Sequence, residues 1–214
     1  MEEKSTKTHV ALKKDELLYT SCYCEENVYM MCKTMSELNR KEEDHSMLDH
    51  CTVVFISNPS KSIPIWKQKN SPDGPVDYHV ILYYHNYDTK EFYVYDMDTV
   101  LPFPCDATEY VMLAFHPELQ LQERFKRCFR LVPGSVFLRE FASDRSHMLE
   151  ENGEYMKPPP EYPAIASTDD VMNLPRYIDM TENTVSPEKF GVVIDEQQFF
   201  TTVLAHVQMN VAAS

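Results

Sequence analysis

Glycine is scarce in this chain, 4 among 214 residues, and no G-x-G-x-x-G or P-loop pattern occurs. The backbone cradles that hold nucleotide phosphates therefore have no support in the sequence. Basic residues are outnumbered too: 20 Lys and Arg stand against 34 Asp and Glu, a formal charge of −14. Such a balance repels a nucleic-acid backbone or an anionic membrane surface and suits a cationic ligand. No run approaches the roughly 18 apolar residues of a membrane helix. The first ten residues, MEEKSTKTHV, contain no apolar stretch of the secretory kind, so the expectation is a soluble intracellular protein. Tryptophan occurs once, as Trp66 in SIPIW, where a strand position would place it in the core. Internal repeats and low-complexity tracts are absent.

With 43% hydrophobic residues the chain is long enough to bury a real core. We read one domain over residues 1–214, with 1–18 as a flexible lead. From Cys24, the residues Val28, Met31, Cys32, Met35 and Leu38 recur at spacings of three and four. This predicts an amphipathic helix, with Glu25 and Glu26 in its first turn and its end near Asn39-Arg40. A charged loop, KEEDHS, follows, and then the short β-rich runs CTVVFIS and SIPIW, read as neighbouring strands across an Asn58-Pro59-Ser60 turn. SPDGP is turn chemistry, and beyond it DYHVILYY and EFYVYD, separated by HNYDTK, read as a β-hairpin. Asp106-Ala-Thr-Glu109 resembles a capping box. QERFKRCFRLV, VFLREFA and EQQFFTTVLAHV supply mixed helix and strand signals. The segment KPPPEYP lacks the backbone donors for regular structure and reads as an extended surface crossing. These elements make an α+β domain, a largely antiparallel sheet packed by helices.

Six cysteines (22, 24, 32, 51, 105, 128) in a chain without a secretory signal read as reduced thiols. A zinc site built from Cys22, Cys24, Cys32, His45, His50 and Cys51 has poor ligand spacing, so no metal and no cofactor is expected. Ser143, Asp144 and His147 include serine-triad residue types, but compressed into one local segment they suit turn and capping bonds or support of a site.

A hairpin symmetric about HNYDTK sets Tyr84 opposite Glu91 and, counting outward, His79 opposite Asp96. Directly opposed residues share a face with Cβ atoms about 4.5–5.5 Å apart, close enough for a carboxylate to hold an imidazole nitrogen and fix its tautomer. Asp98 shares the face of Asp96 and is the alternative partner. Cys24 extends the helical stripe into the first turn, where the dipole and unpaired N–H groups favour thiolate, whereas Cys22 precedes the turn. Glu25 and Glu26 oppose that ionisation, so an imidazole partner matters more than the dipole. Cys24, His79 and Asp96 together would supply a nucleophile, an acid–base group and an orienting carboxylate.

The segments SCYCEENVYMMC, VFISNPSKSIPIWKQ, DGPVDYHV, VYDMDTVLPFPC, FASDRSHM and PPPEYP, in this order, resemble the protein N-terminal glutamine amidohydrolase family, whose signature is WDYHV. The likeness spans most of residues 19–174 and fades toward TTVLAHVQMNVAAS. It implies an α/β scaffold likened to papain-type and transglutaminase-type enzymes, with a Cys-His-Asp triad that converts N-terminal glutamine to glutamate and releases ammonia. The family's cysteine, histidine and aspartate fall on Cys24, His79 and Asp96. The resemblance further implies a monomer of the cytoplasm and nucleus acting in an N-degron pathway on peptides or proteins with a free N-terminal glutamine, without nucleic acid or membrane. Glu25, Glu26 and Asp77 are candidates for binding the substrate's α-ammonium. One departure is plain: the tryptophan before DYHV is missing, the chain reading Gly74-Pro75-Val76-Asp77. This bears on the pocket wall more than on the chemistry. The same residues would also serve a thiol protease or transglutaminase-like acyl transferase, and the same fold a non-catalytic peptide-binding module.

Overall fold

The computed structural model describes residues 12–38, 47–69, 74–88, 90–181 and 186–211. CTVVFIS forms β1 (Cys51–Ser57), whose apolar side chains of both parities are buried because the strand lies inside the sheet and is covered on both faces. With β2 (His79–Asn86), β3 (Glu91–Tyr95), β4 (Cys105–Asp106), β5 (Cys128–Pro133) and β6 (Val192–Asp195) it makes a six-stranded sheet of order β4-β3-β2-β1-β5-β6. Neighbouring strands are antiparallel throughout.

Helices cover the two faces. On one lie α1 (Cys24–Leu38), α3 (Gly134–Glu140), α4 (Leu174–Ile178) and α5 (Pro187–Phe190). Their Val28, Met31, Met35, Phe137, Tyr177 and Phe190 bury Val53, Phe55, Val80, Leu82 and Val132 of the sheet. On the other lie α2 (Ala107–Tyr110), continued by a π-helical turn over Val111–Phe115, and α6 (Glu196–Val211). There Tyr110, Phe115, Phe199 and Phe200 pack on Val54, Ile56, Ile81, Tyr83, Val94 and Phe129. The α+β reading and the largely antiparallel sheet hold. So does the predicted α1 stripe, except that Leu38 at its end is exposed. Asp106 caps α2 as its sequence suggests, its side chain accepting from the N–H groups of Thr108 (2.9 Å) and Glu109 (3.0 Å).

Three readings need correction. SIPIW is not a strand beside β1: both sides of β1 are taken by β2 and β5, and Ile63 pairs only through an isolated bridge with Val76, since Pro64 has no N–H with which to continue a ladder. Trp66 is only half-buried, its ring edge-on to His116 at 5.0 Å. The hairpin register is shifted by two residues, with Tyr84 opposite Tyr93 and Asn86 opposite Glu91. The strand β2 runs on through His85 and Asn86 into the expected loop, and the Asn86 side chain accepts the Asp88 N–H at 3.0 Å to begin the turn. KEEDHS and most of SPDGP lie outside the described residues. Of the expected lead, Leu12 is buried in the core and Lys14–Glu16 form a 3₁₀ turn.

Gly191 joins α5 to β6 at φ 67° and ψ −158°, a region open in practice only to glycine. A Cβ there would lie 1.9 Å from the Leu131 carbonyl oxygen. Gly191→Ala is expected to destabilise the fold by about 3 kcal/mol, lowering the thermal midpoint by about 6–12 °C. A midpoint within a degree of wild type in differential scanning calorimetry would contradict this account of the β5–β6 junction.

Candidate active site

The approach to α1 is fixed by Asn27. Its side chain accepts from the Thr20 N–H at 2.8 Å and donates to the Thr20 carbonyl at 2.9 Å, pinning the chain as it turns through Cys22 at φ 68°. Cys24 is thereby the first helical residue, at the end of the sheet where β2 begins. The Val80 N–H, one residue beyond His79, reaches its sulfur. The thiol also donates to Glu25 Oε2 at 3.6 Å. Burial pushes the Cys24 thiol well above its usual range; the charges of Glu25, Asp98 and Asp96 add to that, and the Val80 N–H works against it. The free protein therefore favours a neutral thiol, in contrast to the thiolate that the helix terminus alone suggests.

His79 and Asp96 meet, though not by the counted register. Continued past Leu82 and Tyr95, the observed pairing would set His79 against Asp98. The strand β3 stops at Tyr95, however, and the chain folds so that Asp96 Oδ1 lies 3.1 Å from His79 Nε2, an ion-pair contact poorly aligned for a linear hydrogen bond. Asp96 is almost wholly buried. Its Oδ1 also accepts from the Asp98 N–H at 2.9 Å, and its Oδ2 accepts from the Tyr110 hydroxyl at 2.7 Å and Gln68 Nε2 at 2.9 Å. Burial alone would raise the Asp96 carboxyl, but His79, Tyr110 and Gln68 outweigh it and hold the group down at about 2. For His79, burial opposes the charge, and Asp96, Asp98 and Glu25 reverse the balance, so its pKa lies above the ordinary histidine value.

Cys24, His79 and Asp98 line one open cavity of about 830 Å³, together with Tyr78, Gln68 and His147. Cys22 and Asp77 also face it, as does Val76 from the segment where the family signature has tryptophan. The three candidates for an α-ammonium are differently placed. Asp77 is exposed at the cavity. Glu25 is fully buried behind the wall and accepts the Tyr78 hydroxyl at 3.0 Å. Glu26 is also fully buried, held by Arg145 through Nε to Oε1 and Nη2 to Oε2, both at 2.9 Å. Cys32 and Cys51 are core thiols, and all six cysteines are unpaired. Among the described residues no group of three or more His, Cys, Asp or Glu side chains is arranged to hold a metal. The Ser143 hydroxyl accepts the Arg145 N–H at 3.4 Å and the Asp144 carboxylate accepts the Ser146 N–H at 2.9 Å, the local turn bonds expected of that segment.

Four residues of consequence were not legible as such. Gln68 and Tyr110 hold Asp96 from segments remote in sequence. Tyr19 donates to Asp98 Oδ1 at 2.6 Å, tying the chain before α1 to the far side of the site. Arg145, in a left-handed conformation, joins Glu26 to the carbonyls of Pro160 (3.1 Å) and Tyr162 (2.9 Å), fastening the proline-rich crossing to the start of α1. In FASDRSHM the serine, aspartate and histidine carry recognisable chemistry in sequence; only burial reveals the arginine.

Known proteins bear on this arrangement. A family model described as N-terminal glutamine amidase matches residues 19–203. The chain belongs to this family of amidases. More particularly, it is similar to proteins named protein N-terminal glutamine amidohydrolase from several organisms. The Bos taurus protein is 45% identical over 170 residues, covering 78% of this chain and 79% of its own length. The Danio rerio protein is 46% identical over 169 residues, 78% and 81% of the two chains. The Arabidopsis thaliana protein is 38% identical over 215 residues, 96% and 95% respectively.

Removing the Arg145 guanidinium leaves the Glu26 carboxylate buried without compensation. Arg145→Met should cost about 3–5 kcal/mol in urea unfolding, and Glu26→Gln in the same chain should recover part of that loss. Additive losses in the double variant would show that the two residues do not act as a pair.

Proposed function

We propose that this protein hydrolyses the side-chain amide of N-terminal glutamine in peptides and proteins, giving glutamate and ammonia. Its family membership over residues 19–203 supports the reaction. The observation that carries the choice of residues is the placement of Cys24 and His79 on one cavity, with Asp96 against the imidazole.

In this reading Cys24 is the nucleophile, His79 the acid–base group and Asp96 the carboxylate that orients the ring. Asp96 engages Nε2, so Nδ1 is the nitrogen that takes the thiol proton as the sulfur attacks the carboxamide carbon. The C–N bond then breaks, ammonia departs with the proton from His79, and a thioester remains. Water attacks the thioester, giving its proton to His79, and the C–S bond breaks to release glutamate and restore the thiol. The neutral resting thiol makes proton transfer to His79 part of the attack. Of the three acidic candidates, Asp77 faces the cavity and is the acceptor we assign to the α-ammonium. Glu25 and Glu26 support the wall behind it.

The described residues contain no helix long and apolar enough to cross a membrane. We place the protein as a monomer in the cytoplasm and nucleus, within an N-degron pathway and without a nucleic-acid partner. The charge of −14 and six unpaired thiols support that placement.

A glutamine-starting peptide incubated with the protein should gain about 1 Da, the change from amide to acid, and Cys24→Ala should abolish the gain. An acetylated N-terminus should block it as well. Turnover of the acetylated peptide would point instead to a protease or acyl transferase, and unchanged mass with a Cys24 inert to iodoacetamide to a binding module.

The pH dependence follows from His79. The ring must be neutral to receive the thiol proton, so kcat/KM should fall as pH drops through the His79 pKa, which the neighbouring carboxylates place above 6.5. Asp96→Asn removes the largest favourable charge on the imidazolium. The acidic limb should then move down by about 1 pH unit or more while the maximal rate drops, and an unmoved limb would exclude His79 as the base.

A further inference from the structure

Beside the reacting sulfur, three buried polar atoms have no hydrogen-bond partner: Glu25 Oε1 and both ring nitrogens of His147. The other oxygen of Glu25 takes the Tyr78 hydroxyl at 3.0 Å and lies 3.6 Å from the Cys24 sulfur. His147 Nε2 faces Oε1 at 3.5 Å, and the imidazole forms part of the cavity wall. Glu26, the next residue, has a guanidinium for its charge. Glu25 has no Lys or Arg within ion-pair distance among the described residues.

A carboxylate with no solvent exposure, in contact with a thiol, works against any negative charge on that sulfur. Attack on a carboxamide requires such charge to build. A cation on the far side of the carboxylate relieves the conflict without moving the helix, and His147 occupies that position. We propose that protonated His147 is the counter-charge of Glu25 and that, by neutralising this carboxylate, it lets the Cys24 sulfur become anionic as it attacks. His147 is thus a positioning residue, acting on the sulfur through Glu25 while His79 handles the proton. The inference rests on Cys24 being the nucleophile.

Other charged or titratable groups face this pair and remain in place in the variants below. Asp144 lies on the His147 side, Tyr23, Tyr78 and Tyr162 adjoin Glu25, and His79, Asp96 and Asp98 surround the sulfur. The Glu26–Arg145 pair compensates itself.

The test is a double-mutant cycle on the full chain, read by iodoacetamide modification of Cys24 against pH with the site resolved by mass spectrometry. His147→Gln should move the thiol titration up by about 1 pH unit, slowing modification about 10-fold at a fixed pH below the midpoint. In a Glu25→Gln background the same change should have little effect, because the charge to be cancelled is gone. His147→Lys, which keeps a positive charge, should modify faster than His147→Gln. In turnover, His147→Gln should lower kcat with KM nearly unchanged. Equal shifts in the two backgrounds, no shift with His147→Gln, or a change confined to KM would overturn the proposal. If Glu25→Gln does not fold, the Lys and Gln variants of His147 still decide, and equal rates in those two count against it. Ammonia release by the wild-type protein is scored separately: its absence sinks the functional reading, whereas the alkylation cycle judges the counter-charge alone.

Discussion

The Asp96 carboxylate collects partners from separate parts of the chain: the imidazole at the start of β2 as an ion-pair contact, and as donors the hydroxyl of Tyr110 from α2, the amide of Gln68 from the crossing after β1 and the N–H of Asp98 beyond its own strand. A charge taken out of water is tolerated only when its lone pairs are so occupied. Satisfying them fixes where β3 must end, how α2 must lie on the sheet and which way His79 must turn. The imidazole is thus held by a carboxylate whose other contacts come from three further segments.

The sheet brings Cys24 and His79 to one cavity at an edge common to its two faces. By alternation with Ile81 and Tyr83, His79 belongs to the face covered by α2 and α6, whereas α1 brings Cys24 across the other face. Both line one cavity where the strands stop, and there the Val80 N–H favours negative charge on the sulfur. Strand ends are the natural place for such a cavity, because side chains from both layers can reach it without either layer giving up its apolar packing. Arg145 closes the same end by fastening the proline-rich crossing to the first turn of α1.

Negative charge governs the chemistry of the cavity. Glu25, Asp96 and Asp98 all raise the Cys24 thiol and favour a proton on His79. Charge of this sign welcomes an ammonium group but resists a thiolate at Cys24.

Much of this was legible in the sequence because it is local. The period of Val28, Met31, Cys32 and Met35 gives α1 and the place of Cys24; the aromatic and β-branched runs give the hairpin; Asp106 and Glu109 give a helix start. The hairpin count puts His79 and Asp96 on one face even with a register two residues off, since a shift of two leaves every side chain on its own face. Nothing local reveals that SIPIW is shut out of the sheet, that Arg145 is spent on Glu26, or that Gln68, Tyr110 and Tyr19 converge on Asp96 and Asp98. Periodicity reports which face a residue takes within its own element. Which buried charge it must answer depends on contacts between segments far apart along the chain, and only the packed structure decides those.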